Sequence, residues 1–301
     1  MKRWWIFLQE RFPLHTHIPI IGSFTFSAIC FSYLASNRVG YISLLNFFLA
    51  FSLTLSLFFL LRLSDEIKDF EDDKLYRRYL PLPRGLLTTK QLKQVAVVII
   101  ILQITLVVVF PYFLWAYLSA LGFLALMHNE FFVKNWLKKR QWLYVITHMA
   151  IIPIIDIVAS SAHWGASKIE PPKLLLMFFI ISLFNGIILE IGRKIKTKQE
   201  EEIGVVSYTS LLGEKKAPMV WFFILLVTFL LTCLASIQIE SSWHVLVFLT
   251  LMFVLSGYWG LQFLRSPTTK NSELIEKASG IWTIAMYFGL GILPYFIQLW
   301  S

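Results

Sequence analysis

Three aspartates at four-residue spacing, Asp65, Asp69 and Asp73, with Glu66 beside the first, are the residues of this chain best suited to do chemistry. On one continuous helix that spacing stacks them on a single side. Like charges about 6 Å apart repel by roughly 3 kcal/mol per pair at an effective dielectric near 20, so an aligned row of carboxylates binds cations or takes up protons. Oxygen-only ligands favour Mg²⁺ or Ca²⁺. A calcium loop needs Gly at its sixth position, and a loop begun at Asp69 has Lys74 there, so the EF-hand reading fails. Mg²⁺ keeps several waters and is shared between one or two carboxylates and a phosphate-bearing substrate, which makes a diphosphate the natural third component. The bland alternative is a solvated charge run, and spacing alone does not choose between them.

Eleven of the 18 acidic residues lie in two places, the second being Glu190, Glu200, Glu201, Glu202 and Glu214. Basic side chains accompany both clusters and a stretch between them. Arg62, Lys134, Arg140, Arg193 and Lys194 are the candidates for holding a diphosphate, and most of the remaining Lys and Arg are anchors. Asp156 lies in an apolar run, eight residues after His148. An ionisable group at that depth usually faces a cavity or a partner, so this pair is the candidate acceptor side; a carboxyl protonated or paired with a neighbouring helix is the alternative. Cys30 and Cys233 sit in apolar runs, and neither they nor the scattered histidines have metal-ligand spacing.

The elements that must position these groups follow from composition. Hydrophobic residues make up 57% of the 301 and charged residues 15%, an apolar excess that no soluble domain of this length could hide. The net charge of +9 does not form the soluble basic stripe that nucleic acid requires, because the Lys and Arg fall between long apolar stretches. A spanning helix needs roughly 20 apolar residues, which predicts nine: Ile18 to Ala35, Tyr41 to Leu63, Gln94 to Val109, Tyr112 to Met127, Leu143 to Ala162, Leu174 to Ile191, Ala217 to Ile237, Trp243 to Leu264 and Ala278 to Trp300. Only Phe110 and Pro111 separate the third from the fourth. Counting Lys and Arg in alternate connections, with Arg62 at the end of the second span included, gives 24 on one side and 3 on the other, which supports two spans there. By the positive-inside rule the N-terminus faces the cytoplasm and the C-terminus the outside, with a bacterial inner membrane as the default location. Residues 1–16 read as an interfacial segment, and 64–93 and 192–216 as the cytoplasmic loops of one membrane domain spanning residues 1–301.

Asp65-Glu66-Ile67-Lys68-Asp69-Phe70-Glu71-Asp72-Asp73 followed by Leu80-Pro81-Leu82-Pro83-Arg84-Gly85 resembles the first motif pair of the UbiA superfamily of intramembrane prenyltransferases. That motif is Asn-Asp-x-x-Asp-x-x-x-Asp followed by Arg-Pro-Leu-Pro-x-Gly. Asp65 and Glu66 stand for Asn and Asp, and Leu80 for the leading Arg. The second motif, Tyr-x-x-x-Asp-x-x-x-Asp ahead of a Gly-x-x-Ser-Thr-like segment, is met by Gly204-Val205-Val206-Ser207-Tyr208 with Glu200 at the distal acid, whereas Lys196 occupies the proximal one. The resemblance covers essentially the whole chain and implies an all-α bundle of about nine transmembrane helices. It also implies Mg²⁺ held by Asp65, Glu66, Asp69, Asp73, Glu190 and Glu200, with Asp65, Asp69, Asp73 and Glu190 catalytic.

The implied activity is transfer of an isoprenyl group from its diphosphate to a lipophilic acceptor, aromatic ones included, with membrane lipids as surroundings and no obligatory protein partner readable. An allylic cation would need a water-poor chamber, and aromatics are plentiful enough that none is nominated. Three rivals remain open: a terpene cyclase of the same fold, a transporter or lipid-binding protein on that fold, and an ion channel, the last lacking rings of like charge.

Overall fold

The computed structural model describes residues 2–37, 40–202 and 204–300, and all regular structure among them is helical. In hydrocarbon a backbone must satisfy its own hydrogen bonds, so apolar runs of this length become helices. In chain order these are α1 (Lys2–Arg11), α2 (Leu14–Leu34), α3 (Leu44–Lys68), α4 (Phe70–Tyr76), α5 (Thr89–Val109), α6 (Leu114–His128), α7 (Lys134–Lys138) and α8 (Gln141–Met149). Then follow α9 (Ile151–Trp164), α10 (Leu175–Arg193), α11 (Tyr208–Leu212), α12 (Lys216–Gln238), α13 (Trp243–Arg265), α14 (Thr269–Tyr287) and α15 (Leu293–Trp300). Among the described residues nine segments are long and apolar enough to cross a membrane, in register with the nine expected.

Boundaries differ from expectation where polar caps, rather than hydropathy, start a helix. Thr88 and Gln91 form a reciprocal capping box that begins α5 ahead of Gln94. Thr268 accepts from the Asn271 N–H and starts α14 in a polar turn well before Ala278. The third and fourth spans are separate, divided by a 3₁₀ turn at Pro111–Phe113. The fifth is broken: α8 ends at Met149 and α9 restarts at Ile151, two residues before Pro153. In the last span a π-helical turn, Phe288–Ile292, joins α14 to α15.

The centre of the bundle is α2, α9, α10 and α14, with α3, α12 and α13 packed around them. α5 lies at the edge and exposes Val97, Val98, Ile101, Leu102 and Val108, the outward apolar face expected of a lipid-facing helix.

One end of the bundle carries extra structure. The segment expected to lie at the interface folds as α1 and is docked: Phe7 is fully buried among Leu63, Leu82, Leu87 and Leu92. The Leu80–Gly85 run supplies this floor by a tight turn in which the Leu86 N–H donates to Pro81 O at 2.9 Å and the Gly85 N–H to Leu82 O at 3.0 Å. Gly85 has φ +77°, which a glycine adopts without a Cβ penalty. Arg84 then pairs with Glu10 of α1 at 2.8 Å.

Candidate active site

The expectation of one continuous helix through Asp65, Asp69 and Asp73 is corrected by the structure. α3 ends at Lys68, Asp69 has φ −89° and ψ 0°, and a new helix, α4, carries Asp73. Four-residue backbone bonding persists across the break, Asp69 N–H to Asp65 O at 2.9 Å and Asp73 N–H to Asp69 O at 2.8 Å. The three aspartates therefore still face one way. With Glu66 they line a cavity of about 470 Å³ whose opposite wall comes from the connection after α10: Arg193, Lys194, Lys196, Glu200, Glu201, Glu202 and Gly204 to Ser207. The two acidic clusters, distant in sequence, thus share one site.

On the α3–α4 wall each acid has a distinct environment. Glu66, 2% exposed, accepts from the Arg11 guanidinium of α1 and lies 3.6 Å from Arg62; its Oε2 is buried without a hydrogen-bond partner. Asp65 lies 3.7 Å from the Lys68 ammonium. Asp73 is paired with Arg77. Burial pushes the Asp73 carboxyl above its usual range, Arg77 opposes this, and the Asp69 charge adds to it. Asp69 has no ion pair among the described residues.

The opposite wall differs in kind. Glu190 does not line the cavity; it binds Arg193 at 2.7 Å and Lys194 at 2.6 Å and so fixes two of the cations that do. Glu200 accepts from the Thr197 N–H at 2.9 Å, the Thr197 hydroxyl at 2.8 Å and the Ser272 hydroxyl at 2.8 Å. Burial alone would raise its pKa, but these hydrogen bonds and Lys196 hold the carboxyl below its ordinary value. Glu201 accepts from Ser207 at 3.0 Å and Glu202 from Tyr79 at 3.0 Å. Burial and the Glu202 carboxylate together raise the Tyr79 phenol. Lys196 reaches between Glu200, at 4.0 Å, and Glu276, at 3.5 Å.

A metal fits one wall and not the other. Asp65, Glu66, Asp69 and Asp73 offer oxygen donors alone, with two buried oxygens, Glu66 Oε2 and Asp73 Oδ1, lacking a hydrogen-bond partner and the Asp69 carboxylate unpaired among the described residues, a set suited to Mg²⁺. Among the described residues no three of them close on a point as a ready cage, so an ion would be completed by water and ligand. Opposite, Glu200 is saturated by hydrogen bonds and Glu190 by cations, and Lys196 brings a positive charge where an acid was expected. The lining has seven carboxylates and six cations, an excess of one negative charge that would repel a free diphosphate.

Of the other expected residues, Arg62, Arg193 and Lys194 line the cavity and Lys134 and Arg140 do not. Lys134 lies in a surface groove with Asn129 and Phe132, and the Arg140 guanidinium sits 4.2 Å over the Trp136 ring. Lys134 opens α7, and Arg140 lies just ahead of α8. Asp156 is fully buried in the bundle, with Ser182 and Tyr287 as its polar neighbours, and His148 packs against Glu130; neither reaches the cavity lining. Arg11 and Tyr79 joined the site unforeseen, since only the docking of α1 and the fold of the 77–88 turn bring them there.

The UbiA prenyltransferase family matches residues 23–297 of this chain. No curated protein matches. A solved structure of a digeranylgeranylglyceryl phosphate synthase in membranes is 19% identical with a TM-score of 0.60, over 92% of this chain and 98% of that one, a likeness of fold. With nine apolar helices and both acidic segments on one cavity, the chain is a membrane prenyltransferase and belongs to the UbiA prenyltransferase family.

Proposed function

We propose that the protein transfers an isoprenyl group from a polyprenyl diphosphate to a lipophilic acceptor within the membrane, with Mg²⁺ as cofactor. The observation that carries this reading is the two-walled cavity, oxygen donors on α3 and α4 facing Arg193, Lys194 and Lys196. Asp65, Glu66, Asp69 and Asp73 would hold the metal, which when bound supplies positive charge to a departing diphosphate. Arg62, Arg193, Lys194 and Lys196 bind diphosphate oxygens directly, and Glu190 keeps Arg193 and Lys194 aimed. Glu200, Ser272 and Tyr79 fix the loop that closes the far wall. The cavity end carries the excess of Lys and Arg, so it faces the cytoplasm, with the N-terminus inside and the C-terminus outside a bacterial inner membrane.

The test is Mg²⁺-dependent diphosphate release from a panel of isoprenyl diphosphates by purified protein, beside Asp65→Asn, Asp69→Asn and Asp73→Asn. Release that needs both the metal and the carboxylates supports the reading. Folded protein that releases nothing from any donor, with variants no different, refutes it. A cyclised hydrocarbon formed without acceptor would instead favour the cyclase.

A further inference from the structure

The helix α1 reaches the cavity from ahead of residue 23, where the family match begins. Its docking face is set by Phe7, fully buried, with Trp4 packed beside it. Arg11 stands four residues after Phe7, at the last position of the helix, and so on the same face. Burying Phe7 therefore delivers Arg11 to the cavity wall, and the pair between Glu10 and Arg84 pins the same turn. Among the described lining residues Arg11 is the one that comes from ahead of α2.

Arg11 is tied there through one atom. Its Nε donates to Glu66 Oε1, and among the described residues its four terminal N–H groups have no hydrogen-bond partner. A guanidinium carries five donors in a rigid fork that matches phosphate oxygens, so most of this one is left over beside a cavity of about 470 Å³. The same Glu66 oxygen has the Arg62 guanidinium at 3.6 Å, so one carboxylate carries two cations while its Oε2 carries none. Arg193 and Lys194 are held differently. Their partner, Glu190, lies outside the lining, and a ligand in the cavity leaves those pairs intact. Arg11 is held by a carboxylate of the lining itself. A divalent cation on the α3–α4 wall draws on the charge of Glu66 and repels the guanidinium beside it, so the bond to Arg11 is one that metal binding weakens. The charge of the lining moves the same way: seven carboxylates and six cations leave one negative charge, and a single Mg²⁺ turns that into one positive.

Resting on the metal and diphosphate reading above, we infer that Arg11 is a diphosphate-binding residue supplied by α1, kept by Glu66 in the metal-free site and released to the donor when Mg²⁺ takes that carboxylate. Arg11 then acts in two ways of opposite sign. Without donor it competes with the metal for Glu66. With metal in place it adds a guanidinium to the diphosphate from the wall opposite Arg193 and Lys194. A merely structural clamp has no such split, because loosening α1 would weaken metal and diphosphate together.

The experiment compares the wild type with Arg11→Gln and Arg11→Lys, each as the full chain in lipid nanodiscs, through two equilibria that need neither isoprenyl donor nor acceptor. Binding of Mn²⁺ alone is followed by electron paramagnetic resonance, and binding of inorganic pyrophosphate by calorimetry in excess Mg²⁺. In Arg11→Gln, Mn²⁺ is expected to bind about fivefold more tightly and pyrophosphate about tenfold more weakly. Arg11→Lys keeps the charge and loses the fork, so its Mn²⁺ affinity should stay near the wild-type value and its pyrophosphate affinity should fall between the other two. Opposite movements of the two affinities in Arg11→Gln support the assignment. Weakening of both, a change in one alone, or no change overturns it. Where Arg11→Gln does not fold, Arg11→Lys carries the test, and a pyrophosphate affinity equal to that of the wild type overturns the assignment. A wild type that binds neither Mn²⁺ nor pyrophosphate removes the proposed function and this inference together, whereas a wild type that binds both beside an indifferent Arg11→Gln removes the inference alone.

Discussion

Replacing Asp69 by Asn should raise the melting temperature of the metal-free protein and remove most of the rise that Mg²⁺ produces in the wild type. Asp65 and Asp69 are one turn apart at the end of α3, and Asp73 follows one turn later. At about 6 Å and an effective dielectric near 20, each like-charge pair repels by roughly 3 kcal/mol. Asp65 and Asp73 have Lys68 and Arg77 as partners, whereas Asp69 has no ion pair among the described residues and is partly exposed. Solvent screening and those cations reduce the net relief on neutralising Asp69 to about 1 kcal/mol, which for a chain of this size is about 2 °C. A metal site with a Kd of about 0.5 mM gains about 1.4 kcal/mol in 5 mM Mg²⁺, and a tenfold weaker one about 0.4 kcal/mol. The assay is tryptophan-fluorescence melting of both proteins in EDTA and in 5 mM Mg²⁺. A variant that melts lower in EDTA and keeps the full Mg²⁺ increment would refute the assignment of Asp69 as an unpaired ligand, and with it the idea that this wall trades stability for metal binding.

Arg11→Ala strips the buried Glu66 of its nearest cation and leaves Arg62 at 3.6 Å; a loss of about 2 kcal/mol is expected, read as a lower midpoint in EDTA that Mg²⁺ partly restores. Gly204 has φ +80°, and an added Cβ would fall within 2.7 Å of three atoms of the Tyr76 ring. Gly204→Ala should therefore weaken donor binding and destabilise the loop by about 1–3 kcal/mol, checked by donor KM and by protease sensitivity of the 195–207 segment. Glu200 has its carboxyl held below its ordinary value, so its contribution to stability is fully present above the unfolded-state pKa and is lost as pH falls through the lower folded-state value. Glu200→Gln should flatten the acid limb of the melting profile below about pH 4.5. Lys196→Asp should raise the number of Mn²⁺ ions counted by electron paramagnetic resonance from one per chain to two, and an unchanged count would remove Lys196 as the reason the far wall does not bind metal.

The nine spans were legible because hydropathy and charge asymmetry report on the same constraint, a backbone that must close its own hydrogen bonds in lipid and basic side chains that stay on one side. Their ends were not, because Thr88 and Thr268 start helices through side-chain oxygens that a hydropathy window averages away. The first acidic motif was legible as a row of carboxylates. Its break at Asp69 was invisible, since four-residue spacing survives a change of helix when the backbone bonds run through the joint. Arg11 left no signal at all: a short amphipathic stretch reads as interfacial until Phe7 is seen to be buried under the Leu80–Gly85 turn. Lys134 and Arg140 were chosen by charge alone, and charge does not say which way a connection folds. Lys196 and Glu130 mark the limit from opposite sides. The lysine stood out in sequence as an error in a pattern, and the structure gives it a place among the cations opposite the aspartates. The glutamate is one polar residue after the fourth span, and only three successive left-handed φ values and a buried Oε2 without a hydrogen-bond partner distinguish it. Both depend on what lies across a space from a residue, which spacing along a chain does not encode.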